Sequence, residues 1–153
     1  NACEGLAPGL YHHDPLGDRL MRLSGRTTEI ERLLQGAARA WGIPDNQLQL
    51  LLIVAARFQR VAWKYASMAY ALILKDVGVL YQTMYLAATA MNLAPCGIGC
   101  GDADLFARAA GVVYYAETSV GEFLLGSKSC PSESKTVWPQ QESTARIYRG
   151  GCL

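Results

Sequence analysis

The spacing of apolar residues changes along this chain, and each change marks an element. Gly9-Leu10-Tyr11-His12-His13-Asp14-Pro15 and Arg19-Leu20-Met21-Arg22-Leu23 are short extended segments joined by a Pro/Gly turn, which predicts a hairpin. After Thr27 and Thr28, either of which can cap a helix, Ile30, Leu33, Leu34, Ala37, Ala38 and Trp41 fall at helical spacing, and Gly42 and Pro44 end the run. Leu48 to Ala56 is an apolar run interrupted only by Gln49, with Ile53 and Val54 near its centre. It is too short for a helix of that composition and reads as a buried strand.

The segment from Val61 to Asn92 is rich in Ala, Leu, Met and Tyr and apolar on every face, the pattern of a central helix, with Gly78 a candidate point of close packing. Pro95-Cys96-Gly97-Ile98-Gly99-Cys100-Gly101 cannot continue it: Pro95 lacks an amide donor and the glycines favour tight backbone. A loop is expected there, with room for a short strand. Asp102 or Asp104 starts a short helix through Ala110, and Ser119 to Leu125 reads as a strand closing at Gly126. Hairpin, helix, strand, long helix, glycine loop, helix and strand in that order predict one α+β domain over residues 1–127, followed by a polar, irregular tail over 128–153.

Composition narrows the function classes. The 153 residues suffice for one core, and 51% of them are hydrophobic. The 14 basic and 13 acidic side chains nearly cancel, so no long-range field draws the chain to nucleic acid or an anionic membrane. Five cysteines without regular spacing (Cys3, Cys96, Cys100, Cys130 and Cys152) argue against a secreted disulfide framework and fit a reducing cytoplasm. The stretch from Val77 to Gly101 carries no charge and is long enough to span a membrane, but Gln82, Thr83, Asn92 and Pro95 interrupt it, and a helix inside a soluble protein is the more economical reading. The chain starts at Asn1 without a signal-peptide pattern, which leads us to expect that something upstream was removed or omitted.

The stretch of greatest chemical interest is Trp63-Lys64-Tyr65. A lysine inside an apolar helix either becomes a usable base, its pKa lowered by burial with the neighbouring phenol as relay, or snorkels to solvent from the helix start while Tyr65 packs. The residues alone leave both open. Cys96 and Cys100 lack a second ligand pair, so no metal site is expected, and His12, His13 and Asp14 read as turn residues.

Four segments in order, Glu4-Gly5-Leu6-Ala7-Pro8-Gly9-Leu10-Tyr11, Trp63-Lys64-Tyr65, Cys96-Gly97-Ile98-Gly99 and Val120-Gly121-Glu122-Phe123-Leu124-Leu125-Gly126, resemble the SagB/McbC-type dehydrogenases of the nitroreductase superfamily. The resemblance implies a nitroreductase-like α+β fold with an antiparallel-rich sheet around a long central helix, and bound FMN at the interface of a homodimer or heteromer. The implied substrate is a thiazoline or oxazoline ring in a peptide or carrier-bound peptide. It further implies that Lys64 is the base removing the proton at the ring's α carbon and that Tyr65 orients it or relays the proton. Pro95, Cys96, Gly97, Ile98 and Gly99 would lie beside the isoalloxazine ring, and Ser127 and Lys128 would lie where such proteins contact the FMN phosphate.

The upstream arginine- and serine-rich motif with which members of this family grip the phosphate has no counterpart, and Arg19, Arg22, Arg26 and Arg32 lie downstream of its place. Three explanations follow: a split enzyme with a partner chain supplying the missing N-terminal half, a precursor cut before Asn1, or a flavin-free relative. Two function classes therefore stand beside each other. One is an FMN-dependent azoline dehydrogenase reoxidised by oxygen. The other is a cofactor-free scaffold subunit of a biosynthetic complex, while a general nitro- or quinone-reducing flavoenzyme would need NAD(P)H.

Overall fold

The computed structural model describes residues 3–128; Cys130, Cys152 and the rest of the predicted tail lie outside the described residues. The hairpin forms as expected, β1 (Leu10–Asp14) antiparallel to β2 (Arg19–Ser24), as a two-stranded sheet of its own. Asp14 shapes its turn, accepting from the Leu16 amide at 3.1 Å and from Arg19 Nε at 3.0 Å.

Helix α1 (Thr28–Trp41) begins where Thr27 accepts a hydrogen bond from the Ile30 amide and ends at Gly42, whose φ of 76° is one a side chain resists. Its buried face, Ile30, Ala37 and Ala38, packs against α4 (Ala103–Ala110). Asp102 caps α4 by accepting from the Leu105 amide, and Leu105, Phe106 and Ala107 are its buried residues.

The second sheet has the order β3-β5-β4, all antiparallel, from β3 (Leu50–Ala56), β5 (Thr118–Ser127) and β4 (Leu93–Ile98). This topology corrects one expectation and sharpens another. β3 is an edge strand of the described sheet and is only half-buried, because the central place goes to β5. The segment expected as a glycine loop with room for a short strand gives its first four residues to the strand: Pro95 to Ile98 lie in β4, with Cys96 opposite Leu124, Gly97 opposite Phe123 and Ile98 opposite Glu122. Pro95 is tolerated because β4 has no partner on its other side in that sheet.

The expected helix from Val61 to Asn92 is broken. A short α2 (Gln59–Tyr65) is followed by a 3₁₀ turn over Ala66–Met68 and then by α3 (Ala69–Ala90). At the break Ala66 holds φ 45° and ψ −122°, a conformation favourable to glycine, and no Gly or Pro in the sequence announces it. The excursion is closed by Phe58 stacking on Tyr70, ring centroids 6.0 Å apart.

Helix α3 lies against the sheet along Ile73, Val77, Tyr81 and Tyr85. The ring of the fully buried Phe123 sits 5.5 Å from that of Tyr81 and 5.0 Å from that of Tyr85. Two glycines permit this approach: a Cβ on Gly121 would run into the Tyr81 phenol and one on Gly97 would crowd both tyrosines. Gly78, by contrast, has open space around it, and Tyr70, Leu74, Val79, Leu80 and Leu86 are exposed, so α3 covers only one of its apolar faces within the described residues. Among the described residues no helix is long and apolar enough to cross a membrane.

Candidate active site

At one end of the three-stranded sheet, β4 stops at Ile98, β5 starts at Thr118 and α3 begins, and the gap between them is a cleft of ≈ 510 Å³. That volume falls in the range of about 300–1,000 Å³ usual for small-molecule sites. Aromatic rings make much of its wall: Phe58 and Tyr70 from the two ends of the α2 excursion, and Tyr114 with Tyr115 from the turn before β5. Gly99 and Gly101 lie along the cleft, followed by Ala103 in the first turn of α4. An ion pair between Arg57 and Glu117 ties the end of β3 to the start of β5 beside Phe58 and Thr118.

The cleft's polar groups come from β5. An irregularity sets Val54 opposite Gly121 but Ala55 opposite Ser119, leaving Val120 as an extra residue, and Thr118, Ser119, Val120 and Glu122 all reach the cleft. Glu122 is half-buried, with Ile53 and Ile98 as its cross-strand neighbours. Burial pushes its carboxyl above the ordinary glutamate value, opposed by a hydrogen bond from Ser119. The carboxyl lies so close to Gly101 that a Cβ there would collide with it. Thr118 is buried, and among the described residues its hydroxyl has no hydrogen-bond partner. On the other side, the Tyr81 phenol donates to the Glu122 carbonyl at 2.8 Å, and burial raises its pKa, with the charge of Glu122 adding to the effect.

The nitroreductase family model matches residues 28–126, which take in α1, the three-stranded sheet up to Gly126 and the cleft. The chain belongs to the nitroreductase family. No curated protein matches it. Among solved structures it is similar to the E. coli microcin synthetase McbBCD complex with truncated pro-MccB17 bound, at 20% identity and a TM-score of 0.66 over 78% of this chain and 44% of the other. It is also similar to a protein of Anabaena variabilis described as a nitroreductase, at 26% identity and a TM-score of 0.67 over 91% of this chain and 30% of the other. The chain thus spans less than half the length of either structure.

Within this nitroreductase-like frame the residues singled out from sequence do not converge on one point. Gly99 lines the cleft, and Pro95, Cys96, Gly97 and Ile98 lead up to it along β4. The Gly97 amide donates to the Tyr85 phenol at 2.6 Å, so it is already satisfied. Ser127 and Lys128 are at the far end of β5, where Ser127 exchanges hydrogen bonds with Gln49 and Lys128 Nζ donates to Asn92 Oδ1 at 3.0 Å.

Lys64 and Tyr65 stand on α2, a helix with no buried residue, and the Lys64 ammonium is 5.1 Å from the centre of the Tyr65 ring. Lys64 is exposed rather than enclosed, and Tyr65 beside it is exposed rather than packed. The sequence reading gave no role to Thr118 or Glu122. The signal for Glu122 was present, since it is the one charged residue between Ser119 and Leu125 in an otherwise apolar strand.

A flavin can be tested against this cleft. Flat aromatic walls, open space where a side chain at Gly99 would project, the unpartnered Thr118 hydroxyl and the half-buried Glu122 carboxyl fit the isoalloxazine ring or a substrate ring against it. Among the described residues no Lys, Arg or His lines it, so these residues fit the ring and not the phosphate. Among the described residues no cluster of His, Cys, Asp or Glu is arranged to hold a metal ion.

Proposed function

We propose that this chain forms one wall of the flavin site of an FMN-dependent oxidoreductase that dehydrogenates a thiazoline or oxazoline ring in a peptide natural product. The observation that carries this reading is the aromatic-walled cleft with Gly99, Gly101, Thr118 and Glu122 along it, in a chain of the nitroreductase family. The sequence resemblance to azoline dehydrogenases supplies the substrate class. The likeness to a microcin synthetase complex with a pro-peptide bound supports a peptide substrate and an enzyme of several chains.

FMN held against Gly99 and the aromatic wall of the cleft would supply a hydride acceptor for the azoline ring. Lys64 takes the acidic proton from the ring's α carbon, and Tyr65 orients it or relays the proton. Because both are exposed on α2 and neither is among the residues lining the cleft, the substrate reaches them from the solvent side. Gly99 and its neighbours in β4 give the flavin edge close access to backbone. Since no cation is among the described residues lining the cleft, and Ser127 and Lys128 at the far end of β5 are engaged with Gln49 and Asn92, the phosphate grip comes from residues of a partner chain or upstream segment, in a cytoplasmic homodimer or heteromer. The same lack favours one other reading, a cofactor-free scaffold subunit that keeps the fold and binds its ligand through the cleft.

The test is oxidation of an azoline peptide by the native assembly. Lys64→Ala should lower turnover by about 100-fold or more, the scale of a general base, and leave the flavin absorbance intact. Turnover undiminished in this variant removes Lys64 from the chemistry; a colourless assembly leaves the scaffold reading.

A further inference from the structure

Thr118 and Glu122 are two polar side chains of the cleft, both on β5, that the described residues leave incompletely satisfied. The Thr118 hydroxyl is buried and has no partner among them. The Glu122 carboxyl receives the Ser119 hydroxyl and, among the described residues, makes no ion pair. Its cross-strand neighbours are Ile53 and Ile98, and Gly101 leaves no room for a side chain to come between it and the start of α4. The Tyr81 phenol cannot serve it either, being committed to the main-chain carbonyl of the same residue. The other titratable groups facing the cleft are the phenols of Tyr70, Tyr114 and Tyr115.

A carboxyl in such a place needs donors, and the cleft supplies no cation. An anionic ligand would meet Glu122 with nothing to separate the charges, whereas a ligand with an N–H edge would complete its hydrogen bonding. An amide offers the matched pair: its N–H to Glu122, and its carbonyl to the Thr118 hydroxyl.

We propose that Glu122 and Thr118 read an amide on a flat ring held in the cleft, so that the site accepts neutral, N–H-bearing rings and rejects their carboxylates. Resting on the azoline reading, this names the substrate more closely. The ring's carboxyl carbon is in amide linkage within a peptide, and a free acid or a carrier thioester, which has no N–H there, is a poor ligand. The charge rule itself does not depend on the ring being an azoline.

The test is titration of the full chain, followed by NMR, with two probe pairs: thiazole-4-carboxamide against thiazole-4-carboxylate, and benzamide against benzoate. The wild-type chain should prefer the amide by at least about tenfold in both pairs, since placing like charges together costs at least that much. Glu122→Gln keeps the shape without the charge and should reduce the preference to about threefold or less by admitting the carboxylate. Thr118→Val, which keeps Glu122, should weaken the amides while the carboxylates stay excluded. Carboxylates binding the wild type as well as the amides, or an undiminished preference in Glu122→Gln, overturns the proposal; so does an absence of binding by all four probes. If only the benzene pair binds and discriminates, the Glu122 rule stands and the azoline reading falls.

Discussion

The Tyr81 phenol donates a 2.8 Å hydrogen bond to the main-chain carbonyl of Glu122, which pins α3 to β5 at the residue whose side chain enters the cleft. The two sides of the sheet are coupled there: Phe123 packs its ring on the helix while its neighbour Glu122 lines the cleft. Tyr81→Phe keeps the ring stacking and removes only the hydrogen bond. Unfolding in urea should show a loss of about 1 kcal/mol, the usual net worth of such a bond.

The glycines of this interface separate into one that is required and one that is not. Gly121→Ala sets a methyl against the Tyr81 phenol and Val77, and overpacking of this kind should cost about 1–3 kcal/mol. Gly78→Ala, in open space within α3, should stabilise the chain by about 0.5–1 kcal/mol through helix propensity. Thermal unfolding of the two variants should move in opposite directions, and a shared sign would contradict the register of α3 on the sheet.

Sequence carried the elements whose ends are set locally. Thr27 and Gly42 bound α1, Asp102 and Gly111 bound α4, and the Asp14 turn closes the hairpin, so each was readable from a few adjacent residues. The fold class followed from their order. The break at Ala66 was not readable, because Ala-Ser-Met-Ala is good helical sequence and the break is closed by a long-range stack of Phe58 on Tyr70. Neither was the cleft. Thr118 and Glu122 meet Gly99 and Gly101 only through the pairing of β4 with β5 and the irregularity at Val120, which no local pattern records.

At Ala66 the backbone holds φ 45° and ψ −122°, where an alanine carries strain that a glycine does not. Ala66→Gly should therefore raise stability by about 1 kcal/mol, in contrast to the loss expected from glycine in an unbroken helix. A loss of stability would mean that α2 and α3 run on as one helix in solution.

Burial raises the Glu122 carboxyl above its ordinary value of 4.5, so the folded chain holds this proton more tightly than the unfolded chain. The stabilisation is complete below pH 4.5 and fades as pH rises through the folded pKa, where a charge must be carried in the cleft. Urea midpoints measured from acid toward neutral pH should fall more steeply in the wild type than in Glu122→Gln, which has no proton to lose. Identical slopes would place the Glu122 carboxyl in water.

Among the described residues no Lys, Arg or His lines the aromatic-walled cleft, so the proposed function puts the phosphate grip outside it. The most direct measurement is the visible absorbance of the native assembly, taken together with the intact masses of its chains and compared with the purified chain alone. The assembly should show a bound flavin spectrum, and the chain alone should bind FMN no more tightly than riboflavin, which lacks the phosphate. A colourless native assembly would contradict the proposed function, and tight, phosphate-dependent FMN binding by the isolated chain would contradict the placement of the phosphate grip outside the cleft.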